Sequence, residues 1–190
     1  QKQGLTLEKM WDKTEENISI PATDMEHYAE HPDVIFVCVK GYSLQETIPF
    51  IKRIARKNTI VIPVLNIYGT GGKMQKELPD FLVTDGCIYV SANIKEPGKL
   101  LQHGQILHIV FGVRDKAEFR PELKEIQKDL CDSHIDGTLS ENIRREALEK
   151  FSYVSPIGAA GLYYHATAAD FQKEGEAREL FKTMIKEIAA

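Results

Sequence analysis

Three residues of this sequence have the type and position for chemistry on a carbonyl group: Lys150, Lys40 and Asn66. On a helical wheel of about 100° per residue begun near Ser140, Ile143, Ala147, Lys150 and Val154 fall within about 60° of one another, while Arg144, Arg145 and Glu149 point elsewhere. Lys150 therefore sits in the middle of an apolar stripe. A lysine there can snorkel, with its stem buried and its ammonium in water. It can instead be aimed into a cleft between two domains, where the ammonium hydrogen-bonds a carbonyl and donates a proton as charge develops on oxygen. Lys40 and Asn66 follow two apolar runs that end at Val39 and Leu65. Open parallel sheets bind ligands beyond the carboxyl ends of their strands, and adjacent parallel strands would bring both residues to one rim. Polar residues also follow strands because loops are wet, so position alone leaves both readings open.

The other chemically suggestive residues carry less. Gly69-Thr-Gly-Gly-Lys73 resembles part of a phosphate loop, but the GxxxxGK[ST] spacing and the final Ser or Thr are missing, so it reads as a flexible turn into a helix. The histidines are scattered. His103 and His108, read as lying across a hairpin, have no carboxylate or thiolate beside them, and no metal site is expected. Cys38, Cys87 and Cys131 form no CxxC pair; Cys38 and Cys87 lie inside apolar runs and read as buried thiols. Tyr163-Tyr164 and Phe171 read as core or interface, and the charges over 173–190 as a solvated helix face.

These residues need elements to position them. Asp33-Val-Ile-Phe-Val-Cys-Val39 is apolar after one acid and β-branched, as in a strand buried on both faces of a parallel sheet. Ser43 and Glu46 have the spacing of a capping box for a helix carrying Ile48, Ile51 and Ile54, with Pro49 an unfavourable member. Thr59–Leu65 reads as the next strand and Lys73–Leu78 as a short helix, so the rhythm is that of a βαβ unit. Shorter strand-like pieces appear at Leu5–Leu7 and Asn17–Ile20. Cys87–Asn93 and Ile106–Val113 read as strands turned at Pro97-Gly98, and Lys116–Leu130 as an amphipathic helix. From Ser140, the expected N-cap, a helix over Glu141–Tyr164 that Pro156 kinks or breaks is followed by a last helix over 174–188. The expected fold is α/β: a partial Rossmann-type parallel sheet over 1–139, then the start of an all-helical domain over 140–190 for substrate binding and dimerisation.

Composition narrows the function. The 190 residues are 43% hydrophobic and 27% charged, as in a globular chain and not a disordered one. With 28 acids against 24 bases, the net charge of -4 lacks the basic surplus of a nucleic-acid binder. No apolar run is long enough to span a membrane, so no membrane partner is expected. Free cysteines and the lack of a signal-peptide pattern make a cytoplasmic setting the expected one.

Four ordered segments together resemble the ketopantoate reductases (2-dehydropantoate 2-reductases). Asp33–Lys40 is similar to their strand with its terminal lysine. Asn66, in Val64-Leu-Asn-Ile-Tyr-Gly69, is similar to their strand-end asparagine, although Ile67 and Tyr68 separate it from the glycine that usually follows. Gly86–Ala92 with Glu96-Pro-Gly98 resembles their next strand and turn, and Asn142–Phe151 the segment with their catalytic lysine. The resemblance implies NADPH-dependent reduction of a 2-oxo acid, ketopantoate or a similar compound, to a 2-hydroxy acid, as in pantothenate biosynthesis. It implies Lys150 as general acid, Lys40, Asn66 and Ala92 on the NADP site, and Asn66 with Lys150 on the substrate.

The departures matter as much. The family's substrate-binding asparagines, four and eight residues after the lysine, are here Val154 and Gly158, which alters what the site would select. The GxGxxG turn is absent, so the chain reads as an internal piece of a longer enzyme, inactive alone, with an exposed sheet edge that favours self-association, a homodimer included. Two other expectations stay open: a β-hydroxyacid-dehydrogenase relative, and a non-catalytic binding or scaffold domain with a degenerate site.

Overall fold

The computed structural model describes residues 4–189. Strand β4 (Ile60–Pro63) lies at the centre of the fold, between β3 (Val34–Val37) and β5 (Leu82–Val83), and both neighbours are parallel to it. Its alternation explains the layers. Ile60 and Ile62, with Val64 beyond the strand, pack with Phe111 and with Leu123, Ile126 and Leu130 of α3 (Glu122–Asp132). Val61 and Leu65 face the other way, onto Ile48 and Ile51 of α1 (Leu44–Ile54) and Met74 of α2 (Thr70–Glu77). A β-branched run is therefore covered on both faces, as parallel sheets require. Among the described residues no helix is long and apolar enough to cross a membrane.

A second, mixed sheet adjoins it. The turn at Pro97-Gly98 joins β6 (Asp85–Glu96) to the antiparallel β7 (Lys99–Gly112); β8 (Asp136–Leu139) and β1 (Leu5–Lys9) run parallel to β7, and β2 (Thr14–Ile18) closes a hairpin with β1. The hairpin arms are longer than the hydrophobic pattern marks: the distal half of β6 is exposed, and the start of β7 is half-covered by its pairing with β1. Gly86 joins the two sheets: a Cβ there would lie 2.8 Å from the Pro63 carbonyl oxygen. His103 and His108 share β7, not opposite arms.

The helices also depart from expectation in places. Ser43 ends a 3₁₀ turn, Gly41–Ser43, and caps nothing with its side chain; buried Ile48, Ile51 and Ile54 hold α1 on the sheet despite Pro49. The helix expected over Lys116–Leu130 is split into a 3₁₀ turn at Lys116–Glu118 and α3, because a residue preceding proline, here Arg120, disfavours helical backbone. Cys87 is buried, but Cys38 is exposed just past the end of β3.

After β8 the chain is helical. Ser140 continues the strand, its N–H donating to the Phe111 carbonyl (2.8 Å), so the cap falls to Asn142, whose Oδ1 accepts from the Arg145 N–H (3.3 Å). Helix α4 (Ile143–Tyr164) runs unbroken through buried Pro156 and packs on α5 (Glu176–Ala189), with Tyr153 edge-on to Phe181 at 5.9 Å. Asn142→Ala should lower unfolding stability by about 1 kcal/mol, the usual cost of a lost cap, in urea denaturation. Glu141→Ala, which touches no cap hydrogen bond, is the control.

Candidate active site

Lys40 and Asn66 each lie three residues beyond the paired positions Val37 and Pro63, at the carboxyl ends of two parallel neighbours. Both side chains are exposed, and both line a trough of about 360 Å³ formed by Cys38–Tyr42, Val64–Ile67 and Ile88. Asn66 and Ile88 are shared with a larger cavity of about 740 Å³, whose wall also holds Val90, Ile106, Lys150 and Val154. One rim thus carries Lys40, Asn66 and Lys150 in that order. Ala92 is not gathered there: it is exposed on β6, paired with Gln102 beyond an irregularity at Val90–Ala92, and lies outside both linings.

Lys150 reaches this rim because α4 starts against the end of β7 and crosses β6. Ile143 is fully buried against Cys87 and Val110, which fixes the first turn. Two turns later the half-buried Lys150 ammonium donates to the Ile88 carbonyl and lies 4.7 Å from the centroid of the Tyr89 ring. Among the described residues it has no carboxylate within ion-pair distance. Burial pushes its pKa below the ordinary lysine value, only partly opposed by the Cys87 thiol. Burial likewise pushes the Cys87 thiol up and the Tyr89 phenol up to about 12. The result is an ammonium with a weakened hold on its proton, beside a carboxamide and an open cavity. Such a group can hydrogen-bond a carbonyl oxygen and protonate it.

The loop after Asn66 is packed in place. Tyr68 sits against Phe151 of α4, ring centroids 6.2 Å apart, and Gly69 takes a left-handed backbone (φ 74°) that starts α2. Ile67 and Tyr68, which separate Asn66 from its glycine, thus tie the strand-end loop to the lysine-bearing helix. Sequence reasoning missed Tyr89. Its alternation with Cys87 along β6 was the available signal, but nothing local says that α4 covers that face.

Comparisons with known proteins bear on the family and the fold. A family model described as ketopantoate reductase PanE/ApbA matches residues 1–116. A 2-dehydropantoate 2-reductase of Aquifex aeolicus (strain VF5) is 20% identical over 187 residues, covering 97% of this chain and 59% of its own length. The crystal structure of a 2-dehydropantoate 2-reductase from Porphyromonas gingivalis W83 superposes with a TM-score of 0.83 at 21% identity, over 99% of this chain and 64% of that one. A ternary structure of D-mandelate dehydrogenase with NADH and anilino(oxo)acetate gives a TM-score of 0.85 at 18% identity, over 99% and 60%. The chain spans about three-fifths of the length of these relatives, and at such identities the structural likeness speaks for the fold. The family match covers more than half of the sequence: the chain belongs to the ketopantoate reductase PanE/ApbA family.

Proposed function

We propose that this chain supplies the proton-donating and substrate-facing part of an NADPH-dependent reductase that converts a 2-oxo acid to a 2-hydroxy acid. The observation that carries this reading is the half-buried Lys150 ammonium, without a carboxylate partner among the described residues, sharing a cavity wall with Asn66. The trough suits part of a nicotinamide dinucleotide: it lies at the carboxyl ends of parallel strands, sets the polar Lys40 and Asn66 in a mostly apolar wall, and shares Asn66 and Ile88 with the larger cavity. Lys40 and Asn66 would hold the cofactor there.

When bound, the reduced nicotinamide supplies the hydride that the carbonyl carbon receives. Lys150 does the rest of the chemistry: its ammonium hydrogen-bonds the carbonyl oxygen, gives up one proton as negative charge grows there, and is left as a neutral amine. That amine regains a proton from water. The Ile88 carbonyl steers the ammonium, and the Asn66 carboxamide donates a hydrogen bond to the acid. Ile88, Val90, Ile106 and Val154 supply the apolar part of the wall, which also carries Ser91, Glu149 and Tyr153.

The same wall favours a second reading of the substrate. Val154 offers no hydrogen bond, and the apolar surface around it suits a 2-oxo acid with a bulky apolar side chain better than one with a hydroxyl. The likeness to a D-mandelate dehydrogenase holding anilino(oxo)acetate supports this variant. Steady-state reduction of ketopantoate, an aliphatic 2-oxo acid and phenylglyoxylate, each with NADPH and with NADH, tests both in the full-length protein. Failure of every pair would sink the reductase reading; a preference for ketopantoate would sink the apolar variant.

The pH profile is a further expected outcome. Lys150 acts in its protonated form, so kcat should be level at low pH and fall as pH rises through its pKa. Burial lowers that pKa, so the fall should begin below the ordinary lysine value of 10.5. A rate that climbs through this range would contradict an ammonium donor.

A further inference from the structure

The environment of Lys150 poses a physical question: what stabilises a half-buried ammonium that has no carboxylate partner among the described residues? Removing a charge from water is costly unless something compensates. The Ile88 carbonyl accepts one of its three N–H groups. The Tyr89 ring also lies close, with Nζ 4.7 Å from its centroid, well inside cation–π range. We propose that Tyr89 is a positioning residue for Lys150, holding the ammonium on the π-face of its ring and thereby keeping it charged and aimed while leaving its proton transferable. This rests on the reading of Lys150 as proton donor.

A ring suits that task better than a carboxylate. A carboxylate at hydrogen-bond distance would hold the proton as well as the charge and raise the pKa, making the lysine a poorer acid. The ring attracts the cation through its quadrupole and accepts no proton. Tyr89 also stays neutral over the working range, since burial keeps its phenol protonated up to about 12. The ring is held in place: it stacks on His108 with centroids 5.4 Å apart and planes at 22°, and it packs against the Cys87–Val110–Ile143 cluster. His108 is anchored in turn on β8, its Nε2 lying 3.1 Å from the Thr138 hydroxyl and its Nδ1 3.8 Å from Asp136. The other titratable groups around the pair are Cys87 on β6 and Glu146 and Glu149 on α4. Glu149 is engaged with Arg145 at 2.8 Å.

The test measures the ammonium and needs no turnover. Competitive acetylation across pH, read by mass spectrometry on the 190-residue chain, gives the acid dissociation constant of Lys150. Tyr89→Phe keeps the ring and should leave that constant within about twofold, whereas Tyr89→Leu should raise it about tenfold, the size of a desolvated cation–π contact. Phenylalanines with one, two and three ring fluorines in place of Tyr89 preserve shape while draining the π-face, so they guard against a leucine variant that does not fold. The constant should rise stepwise along that series. A flat series, or a Phe variant as perturbed as the Leu variant, would overturn the role of the ring while leaving any loss of turnover in Lys150→Ala intact. Full turnover in Lys150→Ala with a graded series would instead overturn the catalytic purpose of the contact.

Discussion

On the proposed reading of Lys150 as proton donor, Lys150→Ala should lower kcat by roughly 10²–10⁴, the usual contribution of a general acid. That range is about 3–5 kcal/mol of transition-state stabilisation. The Michaelis constant for the cofactor should change little, because Lys150 lines the cavity and not the trough that holds Lys40. Lys150→Arg separates charge from proton transfer: guanidinium keeps the positive charge but is a much poorer donor, so most of the loss should remain. It should also abolish the alkaline fall in rate assigned to the lysine. A snorkelling lysine would behave otherwise, losing some packing in the alanine variant and keeping its turnover. Rates for both variants, with thermal stability recorded beside them, decide between the two.

The second large effect is structural and lies in the glycine-rich segment after Asn66. Gly71 faces the β5–β6 junction, and a Cβ there would overlap the Thr84 carbonyl oxygen and Asp85 Oδ1 and press on Arg114 at 2.8 Å. Backbone cannot swing aside as a side chain can. Gly71→Ala should therefore push α2 off the strand and lower stability by about 3 kcal/mol, the upper range for overpacking. Gly72 is the internal control, since its Cβ would meet only the Arg114 side chain at 3.9 Å. Gly72→Ala should raise stability by about 1 kcal/mol through helix propensity alone. Urea denaturation of both variants checks the pair, and equal midpoints would refute the close approach. The glycines at 71 and 72 thus serve different ends: one is required by packing, and the other is only tolerated.

The sequence by itself determined the elements whose cause is local. The runs Asp33–Val39 and Thr59–Leu65 read as successive strands of a βαβ unit, and their parallel pairing puts Lys40 and Asn66 at one rim; full cover on both faces, expected for the first run, falls instead to Ile60–Pro63, while Phe36 of β3 is exposed. The stripe through Ile143, Ala147, Lys150 and Val154 turned Lys150 toward the protein rather than the solvent. Periodicity reports such facts because each depends on residues a few positions apart.

Tertiary structure decided the rest. The stripe could not say whether Lys150 would snorkel or enter a site; that depended on β6, 62 residues away, presenting the Ile88 carbonyl and the Tyr89 ring at the right height. Ser140 has the chemistry of a cap, but its backbone was drawn into pairing with Phe111, and the cap moved to Asn142. The segment at Gly69–Lys73 read as a flexible turn into a helix; the structure starts that helix at Thr70 and presses Gly71 against Thr84 and Asp85, a contact no local pattern marks. The first strand, β1, joined β7, a partner some 90 residues distant in the chain, and β2 followed it by pairing with β1. In each case the deciding contact joins segments far apart in sequence. Its energy depends on the register of the whole fold, which no local pattern of residue types encodes.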